Sequence, residues 1–463
     1  MLYNENVGCH TLGTKISCLF WADDVVLIAK DENDLEKMLS IAGIFSKKWK
    51  LNFNYDKSNV VVVGKRTNKT KQWPLVNHFI KEVDCYKYLG VNISRNFSES
   101  IHVNDVVRKG NRLIGYYIKS IINEQEDFNR IYFGNILWKT IALPSINYAC
   151  AISAYSASDY KKIENIQLQM AKTLLKAPRN TPSLVLLGDL GWDSIENTHN
   201  EIKIKYFDRL INLEAHRWPK LLLHALFTLH DNNVNIKWRW LNSIKSILNN
   251  TGFNHVFSNN IPIDSAWFKS FKCVNRQMYE LDWFNKSCTK PSLSLYVKLK
   301  KMPELENYLT VKTDFHGAQL KFKARSNTLQ LESRLSKWDM NNTGNCMLCK
   351  DEPEDLYHFM LNCIVLQEVR ISEFECLEQN LNDSGLSDLW NSLQLNNSEV
   401  ILMIILGGDC SVLIPTMSIN MVNKAHDILD KFCKSYLKKA WAFKQRLTLS
   451  NDFFKFFIVC KLV

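Results

Sequence analysis

Three cysteines and one histidine near residue 350 constrain the local fold more than any other feature of this sequence. Two residues separate Cys346 from Cys349, eight separate Cys349 from His358, and four separate His358 from Cys363. Three thiolates and one imidazole satisfy tetrahedral Zn²⁺, and a Cys-x-x-Cys pair clamps one edge of such an ion. A chance pair of cysteines beside a core histidine is the alternative. The order and spacing favour a structural Zn²⁺ site that leaves no ligand position for water.

Charge and cysteine usage narrow the class of protein. The chain of 463 residues carries a net charge of +11, which favours polyanionic partners such as nucleic acid or an acidic membrane. Its 13 cysteines are mostly scattered, unlike a secreted disulfide scaffold. No secretory signal is recognisable, and the longest apolar run, residues 400–406, is too short to cross a bilayer. We therefore expect a cytoplasmic and/or nuclear protein without membrane-spanning segments.

Residues 16–29 contain two apolar, β-prone runs that flank Trp21-Ala22-Asp23-Asp24. This pattern predicts a β-hairpin with Asp23 and Asp24 at its tip. Aspartate is a common turn residue, so an ordinary polar corner is one interpretation. The other is catalytic, because a nucleotidyl transferase holds two Mg²⁺ ions with carboxylates on a rigid element.

After the hairpin, the sequence predicts a helix, two strand regions and then mostly helices. An amphipathic helix over residues 31–50, with Asp31 or Asn33 as its N-cap, follows the hairpin. Strands are predicted at 60–63 and near 86–93, and the pattern becomes helical from about 100 to 235. Within it, the helical segments are 131–143, ended by Pro144, and 161–176, ended before Pro178. A C-terminal helix is predicted over 425–447.

Three segments together resemble the reverse transcriptases of non-LTR (LINE-type) retrotransposons. WADDVVLIA resembles the Tyr/Phe-Ala-Asp-Asp motif of these enzymes, with Trp21 in the aromatic position. WKLNFNYDKS, residues 49–58, resembles the segment whose lysine, here Lys57, protonates the leaving pyrophosphate. CYKYLGVNIS, residues 85–94, resembles the turn that grips the primer end, which implies that role for Tyr88, Leu89 and Gly90. Taken singly, each residue also has an ordinary structural explanation: Lys57 as a solvated surface lysine and Gly90 as a turn glycine.

The resemblance extends to the segments that follow. LPSINYACAISAYS and APRNTPSLVLLGDLGWDSIE resemble the helical region after the palm, in which a thumb holds the template–primer duplex. The implied phosphate contacts are basic side chains, each equally explained as part of a solvated surface. They are Lys161, Lys162, Lys172, Lys176 and Arg179, together with the loop residues Lys65, Arg66, Lys69 and Lys71.

The Cys/His segment also resembles the terminal zinc knuckle of these elements. That family associates the knuckle with binding of RNA or target DNA, and small zinc modules commonly stack unpaired bases. Here the knuckle contains four acidic residues between Cys349 and His358, which disfavour contact with a polyanion. They are Asp351, Glu352, Glu354 and Asp355. Nucleic-acid binding by the knuckle is therefore a hypothesis.

These features predict an α+β fold: an incomplete reverse-transcriptase palm, then a mostly α-helical thumb and C-terminal region with a small zinc knuckle. The predicted ranges are 1–97 for the partial palm, 98–235 for the thumb-like region, 236–340 for a mixed connector, 341–370 for the knuckle and 371–463 for a helical tail. The resemblance implies Mg²⁺ at Asp23 and Asp24 in the complete enzyme, structural Zn²⁺, and an RNA template with a DNA primer or target as partners.

The resemblance begins in the middle of the palm. A working enzyme of this family needs a further palm aspartate and fingers, and residues 1–15 contain no aspartate. We therefore expect an RNA-directed DNA polymerase present as an N-terminally truncated, inactive form. The alternative is a non-catalytic RNA- or DNA-binding relic of a mobile element.

Overall fold

The computed structural model describes residues 6–11, 14–64, 71–122, 130–232, 239–258, 266–310, 314–339 and 341–460. Helices predominate in this part of the chain, and the strands form four small sheets. This composition agrees with the expected α+β class. The chain divides into two compact units. The first unit comprises residues 1–109, 146–163 and 198–275, and the second comprises 110–145, 164–197 and 276–463.

The described strands all lie in the first unit. They are β1 (Cys9–Thr11), β2 (Thr14–Ile16), β3 (Cys18–Trp21), β4 (Asp24–Leu27), β5 (Asn59–Val60), β6 (Trp73–Leu75), β7 (His78–Glu82), β8 (Cys85–Tyr88) and β9 (Val91–Ser94). Antiparallel hairpins join β1 to β2, β3 to β4 and β8 to β9, whereas β7 pairs in parallel with β5 and antiparallel with β6. The strand predicted at 60–63 is therefore shorter, and the region near 86–93 is a hairpin.

Helices occupy most of the remaining described residues. They are α1 (Glu32–Trp49), α2 (Ser100–Ile122), α3 (Arg130–Leu137), α4 (Leu143–Ile146), α5 (Ala157–Leu174), α6 (Ser183–Leu190), α7 (Ile195–Ile211), α8 (Trp218–Asp231), α9 (Arg239–Asn250), α10 (Asn254–Ser258), α11 (Ala266–Cys288), α12 (Ser294–Leu299), α13 (Phe315–Arg325), α14 (Glu332–Leu335), α15 (Gln367–Asp383), α16 (Ser387–Gln394), α17 (Ser398–Ile405) and α18 (Ile419–Cys460). No helix in these described stretches combines the length and the apolar composition needed to cross a membrane.

Helix α1 begins and ends as its sequence predicts. The Asp31 carboxylate accepts a hydrogen bond from the Asp34 backbone N–H at 2.8 Å, which confirms Asp31 as the N-cap. Acidic residues occupy the first turn and Lys47 and Lys48 the last, and both placements complement the helix dipole. Lys50 then takes a left-handed conformation (φ 54°) and ends the helix. The Asp34 side chain also accepts from the Gly8 N–H at 2.8 Å, which ties the preceding chain to α1.

The helical segment predicted to end at Pro144 continues past it to Ile146. Proline lacks an N–H, and its ring collides with the carbonyl four residues earlier in a regular α-helix. A π-helical turn, Trp138–Ala142, joins α3 to α4 just before this proline, and the Leu143 N–H bonds to the Trp138 carbonyl. The wider turn relieves the collision, so the helix continues past Pro144.

A buried ionic network organises the core of the second unit. Arg325 and Asp189 are both fully buried, and the guanidinium Nε and Nη2 lie 3.2 and 3.3 Å from the carboxylate oxygens. The hydroxyls of Tyr296 and Tyr308 donate to the same carboxylate at 2.8 and 2.6 Å. Arg325 Nη1 donates to the Leu406 carbonyl at 2.7 Å. The network thus joins α6, α12, α13 and the end of α17.

The C-terminal helix α18 is longer than its predicted range of 425–447. Of the apolar side chains predicted for one side of this helix, Leu429, Phe432, Tyr436 and Leu437 are buried in a core that also contains residues of α15, α16 and α17, whereas Ile428 and Trp441 pack against it partly buried. Lysines of α18 are buried as well, since Lys434 bonds to Asp430 at 2.6 Å and to the Tyr308 carbonyl at 2.9 Å. Each buried ammonium therefore has an oxygen partner.

In the first unit, His199 on α7 is fully buried between Tyr155 and Tyr160. Its Nε2 lies 3.0 Å from Asn147 Oδ1, and its Nδ1 has no hydrogen-bond partner in the described parts of the chain. Burial, with a smaller contribution from Lys203, lowers the pKa of His199 to about 3. The imidazole is therefore neutral in the folded protein at all pH values above that.

This pKa predicts acid destabilisation of the first unit. Between the unfolded pKa of about 6.5 and the folded pKa, the unfolded chain binds a proton that the folded chain does not, so stability falls as pH falls. From pH 7 to pH 5, His199 alone should remove about 2 kcal/mol of unfolding free energy. Urea unfolding at both pH values should show this loss, and His199→Gln should reduce it. His216→Gln, at a largely exposed histidine, is the control; an unchanged slope in His199→Gln would contradict the prediction.

Candidate functional site

The Cys/His segment folds into a compact turn around the first two cysteines. The Cys346 N–H donates to the Glu352 carbonyl at 2.7 Å, and the Lys350 N–H donates to the Cys346 carbonyl at 2.8 Å. Lys350 takes a left-handed conformation (φ 64°), which reverses the chain directly after Cys349. An isolated bridge between Asn345 and Pro353 closes the loop. Both thiols are thereby turned toward the same side.

The other two residues of the set lie at the two ends of a single π-helical turn, His358–Asn362. The Asp355 carboxylate accepts from the His358 N–H at 2.8 Å and so caps this turn. The Cys363 N–H bonds to the His358 carbonyl at 2.8 Å. A five-residue hydrogen-bonded turn therefore brings the imidazole and the last thiol close together.

The four side chains converge as the spacing predicts. Their ligand atoms all lie within 4.8 Å of one another, with 3.9 Å between the sulfurs of Cys346 and Cys363 and 3.3 Å between Cys349 Sγ and His358 Nε2. A tetrahedron with Zn–S bonds of about 2.3 Å has S–S edges of roughly 3.8 Å, and its S–N edges are slightly shorter. The donor set therefore fits a structural Zn²⁺ ion, which agrees with the expectation from sequence.

Burial tunes the three thiols differently. It raises the pKa of Cys346 to about 12 and also raises the pKa of Cys363. Burial acts in the same direction on Cys349, but the backbone N–H groups of Asp351 and Glu352 outweigh it, so the pKa of Cys349 is lowered. Because zinc binds thiolates, ion binding displaces the remaining protons and is strongly pH-dependent.

Glu352 supports the histidine. Its Oε2 lies 2.9 Å from His358 Nδ1, while the other ring nitrogen faces Cys349. A carboxylate at Nδ1 fixes the tautomer that leaves Nε2 free to bind metal and makes it a stronger donor. The glutamate side chain itself is 63% exposed, so its contact with the ring is not needed to fill the core.

Glu354 joins the zinc segment to the C-terminal helix. It is fully buried and forms an ion pair with Lys444 of α18, while its Oε2 accepts from the Glu332 N–H at 2.9 Å. Lys444 also lies 3.5 Å from Glu332 Oε1. Sequence reasoning missed this pair, because residues 90 positions apart carry no local signal of contact. Three of the four acidic residues between Cys349 and His358 thus have structural partners.

Asp23 and Asp24 occupy the tip of the β3–β4 hairpin, as predicted. Trp21 pairs with Asp24, so Ala22 and Asp23 form a two-residue loop with Ala22 at φ 53°. Both carboxylates are exposed. Among the described residues, the groups of three or more potential metal ligands are the zinc set and Asp409, Cys410 and His426, so neither aspartate belongs to such a group. Two carboxylates offer ligands to one Mg²⁺ but do not by themselves form a two-metal site.

Gly90 and its neighbours form the turn of the β8–β9 hairpin. Leu89 and Gly90 both have positive φ (45° and 81°), as a two-residue hairpin turn of this type requires. The Tyr148 hydroxyl donates to the Leu89 carbonyl at 2.7 Å, and a Cβ on Gly90 would lie 2.9 Å from the Tyr148 ring. Packing under Tyr148 therefore explains this glycine without a ligand. Tyr88 is half-buried beside the turn.

The remaining predicted basic contacts have varied surroundings. Lys57 is exposed in the turn that precedes β5, and its backbone N–H donates a hydrogen bond to Asn54 Oδ1. Lys71 pairs with Glu32 and Glu36, which neutralises its charge. Lys172 donates to the Arg179 carbonyl at 2.8 Å. The exposed residues are Lys161, Lys162, Lys176 and Arg179, whereas Lys65, Arg66 and Lys69 lie outside the described residues.

The contact between Glu352 and His358 predicts a measurable effect on zinc affinity. Glu352→Gln should weaken Zn²⁺ binding roughly 10–100-fold while leaving all four ligands in place. Competition with a chromophoric chelator measures this affinity. Asp351→Asn is the matched control, since it removes an exposed neighbouring charge whose carboxylate does not contact His358. Equal zinc affinities of the two variants would show that the glutamate does not support the ligand.

Comparison with known proteins places this geometry in context. A family described as zinc-binding in reverse transcriptase matches residues 306–369, which contain all four Cys/His ligands. A Drosophila melanogaster protein named "Probable RNA-directed DNA polymerase from transposon X-element" is 26% identical over 181 residues. That alignment covers 37% of this chain and 19% of the relative, so the chain spans about a fifth of the relative's length. Over the matched residues, the chain is thus similar to a zinc-binding segment of reverse transcriptases and to an RNA-directed DNA polymerase from a transposon.

Proposed function

We propose that this chain is the part of a LINE-type reverse transcriptase that holds the RNA template and the DNA primer or target. The observation that carries the proposal is the converging Cys/His set inside a segment similar to the zinc-binding segment of reverse transcriptases. The similarity to an RNA-directed DNA polymerase from a transposon supports the same role. Single aligned motifs count for less, because each also has an ordinary structural explanation.

In this proposal, residues 1–97 belong to a palm and the helices of residues 98–235 to a thumb. The β3–β4 hairpin presents Asp23 and Asp24 as ligands for Mg²⁺, which when bound supplies charge for the triphosphate. Lys57 donates a proton to the leaving pyrophosphate. The β8–β9 turn, with Tyr88, Leu89 and Gly90, lies against the primer end. The exposed position of Asp23, Asp24 and Lys57 is compatible with these roles.

We do not propose that this chain catalyses polymerisation by itself. Two-metal polymerases hold their ions with carboxylates from more than one strand, and no third ligand joins Asp23 and Asp24 in the described part of the chain. We therefore propose binding without primer extension as the property of this chain. A non-catalytic RNA- or DNA-binding protein derived from a mobile element remains the second candidate, favoured by the same observation.

Binding and extension can be measured on one substrate, a labelled DNA primer annealed to an RNA template. We expect salt-dependent binding, because contacts go to backbone phosphates: four contacts to a single strand would weaken binding roughly 50-fold between 50 and 200 mM salt. Lys161→Gln with Lys162→Gln should lower the salt dependence by about one unit per lost contact. Lys286→Gln is the matched control, since that lysine is paired with Asp282.

The outcomes test the proposal and the second candidate together. Mg²⁺-dependent extension that is lost in Asp23→Ala would show polymerase activity and contradict the proposed lack of catalysis. Absence of salt-dependent binding would contradict both candidates. Cys346→Ser with Cys349→Ser tests the knuckle itself: unchanged affinity in this variant, measured by gel shift, would show that the zinc segment does not contact the nucleic acid.

A further inference from the structure

Two basic side chains lie over one aromatic ring in the second unit, and a third lies near one of them. The Arg130 guanidinium carbon lies 3.8 Å from the centre of the Phe315 ring, and Lys176 Nζ lies 5.6 Å from the same centre. Lys323 stands two turns along α13 from Phe315, close enough to Lys176 to interact with it electrostatically. We call Arg130, Lys176 and Lys323 the basic cluster. Its members come from α3, the end of α5, and α13.

Arg130 is the unusual member. Only 6% of it is exposed, yet its Nε and Nη2 atoms have no hydrogen-bond partner among the described residues. Buried guanidinium groups are normally paired, because an unpaired buried charge is costly. Stacking on Phe315 offsets part of this cost, since a cation over an aromatic face is attracted to it. The ring supplies no hydrogen-bond acceptor, so at least two donors stay unused.

The charges in the basic cluster are not balanced by carboxylates in the described residues. Burial lowers the pKa of Arg130 to about 10, and it also lowers the pKa values of Lys176 and Lys323, with repulsion from a neighbouring cation adding to the effect in both lysines. The nearest acidic side chain on α13, Asp314, is already occupied: it caps the Gly317 N–H at 3.0 Å and pairs with Lys438 at 3.0 Å.

The basic cluster is open on one side. Lys176 is exposed, whereas Lys323 and Phe315 are half-buried and Arg130 forms the floor. Lys176 also takes a left-handed backbone conformation (φ 44°) directly after α5, and its carbonyl accepts a hydrogen bond from Gln319 on α13 at 3.4 Å. This turn holds the lysine beside Phe315, so an anion can approach from solvent past Lys176.

We propose that the basic cluster binds a phosphate group, with Arg130 and Lys176 as its principal contacts. A phosphate offers several oxygens to the unused guanidinium donors and balances the repelling charges. Arg130 Nε and Nη2, which lack a partner among the described residues, are the donors that the phosphate oxygens would satisfy. Resting on the proposed function, we assign this phosphate to a nucleic-acid backbone; a free phosphate ion is the other source of the same chemistry.

The test uses the full chain, inorganic phosphate as one probe and a labelled single-stranded RNA as the other. Phosphate should raise the melting temperature of the unsubstituted chain but not that of Arg130→Gln. The same substitution should weaken RNA binding roughly tenfold and lower its salt dependence by about one unit. Lys176→Gln should act in the same direction. Lys431→Gln, at an exposed lysine of the same unit, is the charge-matched control and should change neither readout.

Stability separates binding from a structural role. Removing an unpaired buried charge should leave Arg130→Gln as stable as the unsubstituted chain or more stable when no anion is added. A variant that is less stable and responds to phosphate like the unsubstituted chain would overturn the proposal. A triple variant, Glu124→Gln with Glu126→Gln and Asp127→Asn, provides a second test. If it destabilises the unsubstituted chain but not Arg130→Gln, a carboxylate is the partner of Arg130 and the proposal is overturned.

The RNA-binding and phosphate results together distinguish failure of this inference from failure of the proposed function. A phosphate response that depends on Arg130, without RNA binding, would retain the phosphate site and overturn the proposed nucleic-acid role. RNA binding that is equal in the unsubstituted chain and in Arg130→Gln, with no effect of phosphate, would retain the nucleic-acid role and overturn the site.

Discussion

The ion pair between Asp189 and Arg325 is the contact on which the second unit depends. Both groups are completely buried, and the carboxylate receives four hydrogen bonds while the guanidinium also reaches the Leu406 carbonyl. Such a pair survives burial only when nearly every donor and acceptor is satisfied, as it is here. Its geometry therefore demands that α6, α12, α13 and α17 take their places together, which makes the core specific as well as compact.

The same principle applies to the buried lysines of the chain. Lys321 and Lys434 share Asp430, and Lys444 pairs with Glu354, so several lysines lie inside the protein. Such pairs cancel within the net charge of +11, so the overall balance does not show which cations face solvent. Nucleic-acid binding is better inferred from cations that lack carboxylate neighbours than from the overall balance of charges.

Local patterns predicted local structure well. The two-residue tip at Asp23, the cap at Asp31 and the convergence of Cys346 with His358 all depend on residues close in sequence. Contacts between distant residues were not predictable, as the 136 positions between Asp189 and Arg325 illustrate. Pro144 shows a third case: the residue has the expected steric effect, but a wider turn absorbs it within a continuing helix. The roles of Asp23, Lys57 and Gly90 in polymerisation stay predictions.

The bond between Glu354 and Lys444 has a consequence for truncation of this chain. The carboxylate lies inside the zinc segment, whereas the ammonium comes from the last long helix, well beyond the residues that resemble the zinc family. A stop codon before residue 444 would spare every zinc ligand yet leave a buried carboxylate without its cation. Mutations that shorten the reading frame from its 3′ end would thus impair the metal centre early, even though its coding sequence remained intact.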